Sequence, residues 1–240
     1  MEKNIKEEFI STLSHEIRTP LTSIKGFSQT MLNSWDKLDD DKKKEFLEII
    51  LNQSKRLINL VENVLHVAKI DSDNQNVILS KVDINKLTQN SINLVKIANQ
   101  GFEFNFEKSK NEIFSLADND KIQQVLINVL DNAVKYSINS NKIEISTKNE
   151  GDFNVISIKN FGNYIEEEKL EKIFEKFYRV DSYIQASTQG SGLGLYIAKS
   201  LVEKMQGKIE VKSSKEEKNV QFLIYVPIYE VEKLTKNIGV

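Results

Sequence analysis

The chain has 240 residues, of which 40% are hydrophobic and 28% charged, a composition typical of a globular protein with a sizeable core. Its 33 basic and 35 acidic residues leave a net charge of −2, which argues against a nucleic-acid partner or a polybasic membrane patch. It has no cysteine, which excludes disulfides, thiolate catalysis and cysteine-based metal sites, and no apolar run approaches the roughly 20 residues of a membrane-spanning helix.

Two long amphipathic helices are predicted at the start of the chain. The first runs from about Ile5 to Asn33, and Pro20 is expected to kink it. The second follows Asp39 and carries a heptad seam, whose positions are Phe46, Ile50, Gln53, Leu57, Val61, Val64 and Ala68. Two such helices cannot bury their apolar faces alone. We therefore predict a helical hairpin that dimerises into a four-helix bundle.

A polar linker at Asp71–Asn76 separates the hairpin from a region of mixed strands and helices. It divides the chain into predicted domains 1–74 and 75–240, the second an α/β sandwich with helices on one face of a sheet. The predicted strands are Asn76–Ser80, Phe102–Phe106, Lys142–Thr147, Val155–Ile158 and Val220–Val226. The predicted helices are Ile84–Ala98, Asp118–Tyr136, Glu166–Phe174 and Leu193–Met205.

The first candidate site lies in the segment Phe9–Leu21. His15 falls outside the apolar stripe of this helix, so its imidazole is predicted to face solvent. Glu16 follows it directly, and Thr19 lies one turn further on the same face. An exposed imidazole beside a carboxylate can accept a chemical group from a partner molecule.

A second candidate site is rich in glycine. Gly190, Gly192 and Gly194 alternate just before a predicted helix, so backbone N–H groups there can close on an anion. The pattern is neither a P-loop nor a dinucleotide-binding fingerprint, and a merely flexible turn is the alternative. The small, polar segment Ser182–Gln189 is predicted to be a mobile lid over a ligand.

A third candidate is one face of the predicted helix Asp118–Tyr136. It carries Asn128, Asn132, Lys135 and Tyr136. Amide oxygens can ligate Mg²⁺, lysine can neutralise phosphate, and tyrosine can lie against a purine. The alternative is a polar face with one buried tyrosine.

Two more segments complete the set of candidates. A turn, Asn160–Ile165, is predicted after a strand. The segment Ile173–Asp181 places aromatic residues among basic ones, including Arg179, and core packing accounts for part of that pattern.

Together these segments resemble the sensor histidine kinases of two-component systems. Phe9–Leu21 resembles the family's H box, Asn128–Tyr136 its N box, Phe174–Asp181 its F box and Gly190–Leu195 its second glycine box, in the family's order. The resemblance implies a dimerising phosphotransfer hairpin, followed by an ATP-binding α/β sandwich of the gyrase and Hsp90 type.

The resemblance also implies roles for individual residues. His15 would accept the γ-phosphoryl group of ATP, Glu16 would manage its proton, and Thr19 would serve phosphatase activity toward a phosphorylated response regulator. Asn128 and Asn132 would hold Mg²⁺. The implied nucleotide contacts are Asn128, Asn132, Lys135, Tyr136, Asn160, Gly162, Arg179, Gly190, Gly192, Leu193 and Gly194.

One motif departs from the family pattern. The first glycine box usually reads Asp-x-Gly-x-Gly, with its aspartate accepting a hydrogen bond from adenine. Asn160 holds that place here, and Tyr164 replaces the second glycine. A neutral amide still accepts such a bond, at a cost of about 1 kcal/mol relative to a carboxylate.

The implied partners are a second copy of the chain and a response regulator, and the implied setting is the cytoplasmic part of a membrane-anchored sensor. A gyrase- or Hsp90-like ATPase is one alternative. A mainly phosphatase or scaffold protein with weak ATP use is another. The absence of His-Arg-Asp and Asp-Phe-Gly motifs argues against a Ser/Thr kinase. His66, which lacks an adjacent acid, is predicted to be structural.

Overall fold

The computed structural model describes residues 2–72, 76–138, 140–180 and 190–230, with side chains from residue 10 onward. The chain forms two compact units, Met1–Ser72 and Asp73–Val240.

The first unit is the predicted helical hairpin. Helix α1 (Glu2–Ser34) continues through Pro20, a 3-10 turn covers Trp35–Lys37, and helix α2 spans Asp40–Asp71. α1 and α2 pack along each other. Near the turn that joins them, the rings of Phe27 and Phe46 lie 5.0 Å apart between centroids.

The start of α2 is fixed by a side-chain cap. Asp39 has an extended backbone, and its Oδ1 accepts a hydrogen bond of 2.8 Å from the backbone N–H of Lys42. Asp40 and Asp41 follow in the first turn, where negative charge is favourable.

The hairpin buries few of its apolar side chains. Those buried among its described residues are Pro20, Met31, Leu60, Val67 and Ile70. Large apolar side chains that remain exposed are Ile10, Leu21, Leu32, Trp35, Leu47, Leu51, Ile58, Val61 and Leu65. One hairpin therefore leaves a long apolar surface open to solvent.

The second unit is an α/β sandwich. Its strands are β1 (Ser80–Asp83), β2 (Glu103–Glu107), β3 (Phe114–Ala117), β4 (Lys142–Glu150), β5 (Phe153–Phe161), β6 (Lys208–Ser214) and β7 (Asn219–Pro227). Its helices are α3 (Ile84–Ala98), α4 (Asn119–Lys135), α5 (Glu167–Leu170) and α6 (Gly194–Lys204), with a 3-10 turn at Lys172–Phe174.

Five strands form the main sheet, in the order β2-β4-β5-β7-β6. β2 runs parallel to β4, and the other neighbours are antiparallel. β1 and β3 form a separate antiparallel pair.

The core lies between the main sheet and helices α4 and α6, which pack on each other and on the sheet. Ile156 on β5 faces Ile224 on β7, and both are fully buried. Leu126 and Leu130 of α4 and Leu201 of α6 are also fully buried. The predicted fold class, a helical hairpin followed by an α/β sandwich, is confirmed.

Some predicted elements were placed wrongly. Residues 76–79 form no strand, and β1 begins only at Ser80. The backbone N–H of Ile78 instead donates a 3.0 Å hydrogen bond to the Asp118 side chain, which ties this segment to the start of α4. The predicted helix Glu166–Phe174 is two short turns, and β3 and β6 were missed.

Candidate functional site

Helix α4 presents the predicted amide face. Asp118 caps its N-terminus by accepting bonds from the backbone N–H groups of Asp120 and Lys121. The opposite face carries the buried apolar residues, so Asn128 and Asn132 are left half-buried at the edge of the core.

Asn128 joins α4 to the glycine segment. Its Nδ2 donates a hydrogen bond of 3.2 Å to the carbonyl oxygen of Gly194, the first residue of α6. Because the amide nitrogen is used in this bond, the carbonyl oxygen is the atom of Asn128 suited to a cation. The N box and the second glycine box therefore lie side by side.

Lys135 reaches the same glycine segment. A Cβ added at Gly190 would meet the Lys135 ammonium group, which places that ammonium directly against the glycine backbone. The ammonium also lies 4.8 Å from the ring centroid of Tyr136. A cation thus stands beside glycine backbone, where phosphate oxygens can be neutralised.

The F box and the second glycine box are fastened together. Phe177 donates a 3.0 Å backbone hydrogen bond to Gly192, and both residues have positive φ, 62° and 67°. A Cβ at Gly192 would stand 2.7 Å from the Cα of Phe177. Glycine is therefore required at position 192 both for its conformation and for space.

The first glycine box packs against the end of α4. Asn160 lies within β5, so the predicted turn starts only after Phe161. A Cβ at Gly162 would collide with the carbonyl oxygen of Tyr136.

The β6–β7 hairpin supports this turn from the other side. Lys218 accepts a 2.9 Å hydrogen bond from the Gly162 N–H, and the Ser213 hydroxyl accepts a 2.8 Å bond from the Ile165 N–H. Ser213 and Lys218 carried no sequence signal, because their partners lie in a turn about 50 residues earlier in the chain.

Asn160 is only 2% exposed, and its Nδ2 has no hydrogen-bond partner among the residues that the structure describes. A buried amide without a partner is costly, and a bound base with donor and acceptor groups can satisfy it. Together with the Lys135 ammonium beside Gly190, this amide makes the residues present compatible with a purine nucleotide.

Burial and a nearby positive charge act on the phenol of Tyr136 in opposite directions. Burial raises the pKa of its phenol, and the positive charge of Arg179 acts in the opposite direction. The pKa of the Tyr136 phenol is raised overall, so burial outweighs the charge of Arg179. Leu193, fully buried, directly precedes α6 and anchors the glycine segment to the core.

The remaining candidates lie on the hairpin. His15 is exposed on α1, as predicted. Thr19 is also exposed, and its hydroxyl donates a 3.1 Å hydrogen bond to the carbonyl oxygen of His15. Glu16 is held by Arg56 of α2, with Nη2 and Oε2 3.0 Å apart. Sequence reasoning missed Arg56, because a pair 40 residues apart leaves no local pattern.

Three further points concern the predicted lid, metal-binding side chains and membrane-spanning helices. The predicted lid, Ser182–Gln189, lies outside the described residues. Across the described ranges there is no group of three or more His, Cys, Asp or Glu side chains able to hold a metal ion. No helix in the described part of the chain is long and apolar enough to cross a membrane.

Two sequence models of protein domains match the chain. The His Kinase A (phospho-acceptor) domain matches residues 5–73. The domain described as histidine kinase-, DNA gyrase B- and HSP90-like ATPase matches residues 117–230. The first match covers the hairpin, and the second covers α4, β4 to β7 and the glycine segments.

Individual relatives agree with these matches. Sensor protein SrrB of Staphylococcus aureus is 34% identical over 232 residues, which cover 93% of this chain and 38% of that protein. The catalytic domain of histidine kinase ThkA is 32% identical with a TM-score of 0.54, and the match covers 62% of this chain and 95% of that one. ThkA in complex with response regulator protein TrrA is 28% identical with a TM-score of 0.72, over 95% and 63% of the two chains.

Proposed function

Since the chain belongs to the sensor histidine kinases of two-component systems, we propose that it phosphorylates His15 from ATP and passes the phosphoryl group to an aspartate of a response regulator. One observation carries the proposal: a solvent-facing His15, next to Glu16, on a hairpin that matches a phospho-acceptor domain. The chain spans 38% of the length of SrrB, so the activity of the whole protein is part of the proposal.

The two domains divide the work in this proposal. Residues 1–74 carry the acceptor histidine and the dimer interface, and residues 75–240 bind Mg²⁺-ATP. The unsatisfied amide of Asn160 and the cation of Lys135 beside Gly190 support a nucleotide site in the second domain.

The chemical step needs little covalent chemistry from the protein. The unprotonated ring nitrogen of His15 attacks the γ-phosphorus and forms an N–P bond. The bond from that phosphorus to the β–γ bridging oxygen breaks, and ADP leaves. The proton on the other ring nitrogen passes to Glu16, which acts as the base. Positioning and charge neutralisation supply the rest of the rate enhancement.

The nucleotide residues supply that positioning. Lys135 neutralises phosphate oxygens, while Asn160, Gly162 and Tyr136 form the adenine side of the site, with Arg179 near Tyr136. Backbone N–H groups of the second glycine box, Gly190, Gly192, Leu193 and Gly194, cover the phosphates. Asn128 and Asn132 would hold Mg²⁺, which when bound supplies further neutralisation of phosphate charge.

Labelling with γ-³²P-ATP tests the proposal. The wild-type protein is expected to acquire a label that is stable in base and lost in acid, the behaviour of a phosphoramidate. H15Q should remove the label, and H66Q, which changes the only other histidine, should keep it. A label that survives H15Q would overturn the assignment of His15.

The same preparation separates the alternatives. A gyrase- or Hsp90-like ATPase would hydrolyse ATP without any label on His15. An absence of Mg²⁺-ATP binding to residues 75–240 at millimolar concentration would favour the scaffold. The match to a phospho-acceptor domain supports the kinase over the gyrase- or Hsp90-like ATPase.

A phosphatase activity toward the phosphorylated regulator is the second part of the proposal. Thr19 supports it, because its hydroxyl donates to the His15 carbonyl and keeps its lone pairs available to accept a hydrogen bond from water. T19A should slow dephosphorylation of the regulator, and T19S should retain it. T30A is the matched control, since the Thr30 hydroxyl donates the same type of hydrogen bond, 2.9 Å to the carbonyl oxygen of Gly26, further along α1.

Two partners and a setting complete the proposal. The exposed apolar residues of the hairpin support a homodimer. The ThkA structure that contains response regulator TrrA supports a response regulator as acceptor. We also propose that the chain is the cytoplasmic portion of a membrane-anchored sensor, which the sequence of the full-length protein would test.

A further inference from the structure

Arg56 and Glu16 form an ion pair between the two helices of the hairpin. Nη2 of Arg56 lies 3.0 Å from Oε2 of Glu16, and the two side chains are 22% and 21% exposed. Guanidinium–carboxylate bonds of this length are charge-assisted and orient the carboxylate. The pair therefore fixes where the Glu16 side chain points.

That direction is away from the face that carries His15. Consecutive residues on an α-helix project about 100° apart, so neighbours in sequence do not face each other. His15 is exposed, whereas Glu16 is turned into the groove between α1 and α2, where Arg56 holds it. The carboxylate that would take the proton of His15 is thus bonded to another group.

We propose that Arg56 is a positioning residue that restrains Glu16 and so limits phosphorylation of His15. The proposal rests on the proposed kinase function and on Glu16 as its base. To accept the proton from the His15 ring, Glu16 must turn a carboxylate oxygen toward that ring, whereas the bond from Arg56 holds the carboxylate toward α2. Release of Glu16 from Arg56 then becomes part of the activation of the kinase.

Replacement of Arg56 tests the restraint in the full chain. R56Q keeps a long polar side chain but removes the charge. It is expected to raise the kcat of autophosphorylation roughly three- to tenfold, the size of one charge-assisted bond that is partly screened by solvent, with the KM for ATP unchanged. R56K restores a cation and is expected to return kcat toward the wild-type value.

A matched control uses another ion pair of the hairpin. Lys43 and Asp40 lie 3.1 Å apart within α2, away from His15. K43Q is expected to leave kcat and KM unchanged. Far-UV circular dichroism verifies that each variant keeps its helices, and R56M takes the same test if R56Q does not fold.

A double variant shows whether Arg56 acts through Glu16. E16Q alone should slow phosphorylation, and E16Q/R56Q should be as slow as E16Q, because there is no longer a carboxylate to release. A merely structural role of Arg56 would give the same change in both backgrounds.

Three results would overturn the inference: an R56Q enzyme that is slower than or equal to the wild type, a KM change without a kcat change, or an equal rise in the E16Q background. A wild-type protein that never labels His15 would instead disprove the proposed kinase function, and the inference with it. The two failures are distinguishable by the wild-type label alone.

Discussion

The hairpin and the sandwich differ in where their apolar side chains lie. In the sandwich, large side chains such as Leu126, Ile156 and Ile197 are fully buried. In the hairpin, Val61 and Leu65 of α2 are 47% and 55% exposed, although they lie on or beside the heptad seam. The sandwich has its own core, whereas two helices alone cannot enclose one. The stability of the second domain is therefore intramolecular, whereas that of the first would depend on the second copy in the proposed homodimer.

The largest expected effect is that of a charge placed on the apolar surface through which the hairpin is proposed to dimerise. V61D places a charge on the apolar surface of the hairpin. It should raise the dissociation constant of the dimer at least about 100-fold, because an unpaired carboxylate buried at an interface costs roughly 3 kcal/mol or more. Sedimentation equilibrium measures the change. N59D adds the same charge at an exposed polar position of the same helix and should leave the dimer intact. A V61D protein that remains dimeric would remove Val61 from the interface.

The sandwich should respond to a core cavity without any partner. L126A removes a fully buried side chain and should lower the free energy of unfolding of residues 75–240 by about 2–5 kcal/mol. Urea unfolding gives the value. I97A, at a side chain that is 72% exposed on α3, should change it by less than about 0.5 kcal/mol. If L126A and I97A lowered the free energy of unfolding equally, Leu126 of α4 would not be part of the core.

Glycine has opposite roles in the two domains. G192A forces a side chain into a positive φ and against the backbone of Phe177, so it should cost about 1–2 kcal/mol from the conformation alone and weaken nucleotide binding. G26A lies within α1 with no described atom near the added Cβ, and should stabilise the hairpin by about 0.5–1 kcal/mol. Thermal unfolding and nucleotide titration measure both. Stabilisation by G192A would contradict the packing of the F box on the second glycine box.

The smallest expected effect concerns adenine. N160D should tighten ATP binding about fivefold, near 1 kcal/mol, because a carboxylate accepts a hydrogen bond more strongly than an amide. It should also lower the melting temperature of the nucleotide-free protein, since it buries a charge at a position only 2% exposed. Isothermal titration calorimetry measures the affinity, and N163D, at the exposed neighbouring turn, is the control. Weaker binding by N160D would mean that Asn160 is not the adenine acceptor.

Elements with strong periodicity were predictable, and short edge elements were not. The 3.5-residue repeat located α2, and a nearly continuous apolar run located β7, nearly to their ends. β3 has only four residues, and in the edge strand β6 only Ile209 and Val211 alternate with charged residues, so both patterns are short. Segment 76–79 was placed in a strand by its apolar residues, but a hydrogen bond from Ile78 to Asp118 decided otherwise.

The sequence by itself determined the order of the motifs, the two-part architecture and the chemical identity of the candidate site residues, because periodicity and residue type are local properties of the chain. Only the tertiary structure decided which groups meet. It placed the Asn128 amide on Gly194, Lys135 beside Gly190 and Arg56 on Glu16, contacts that span 40 to 66 residues. Such contacts depend on how the helices and strands pack, and no pattern within one segment encodes them.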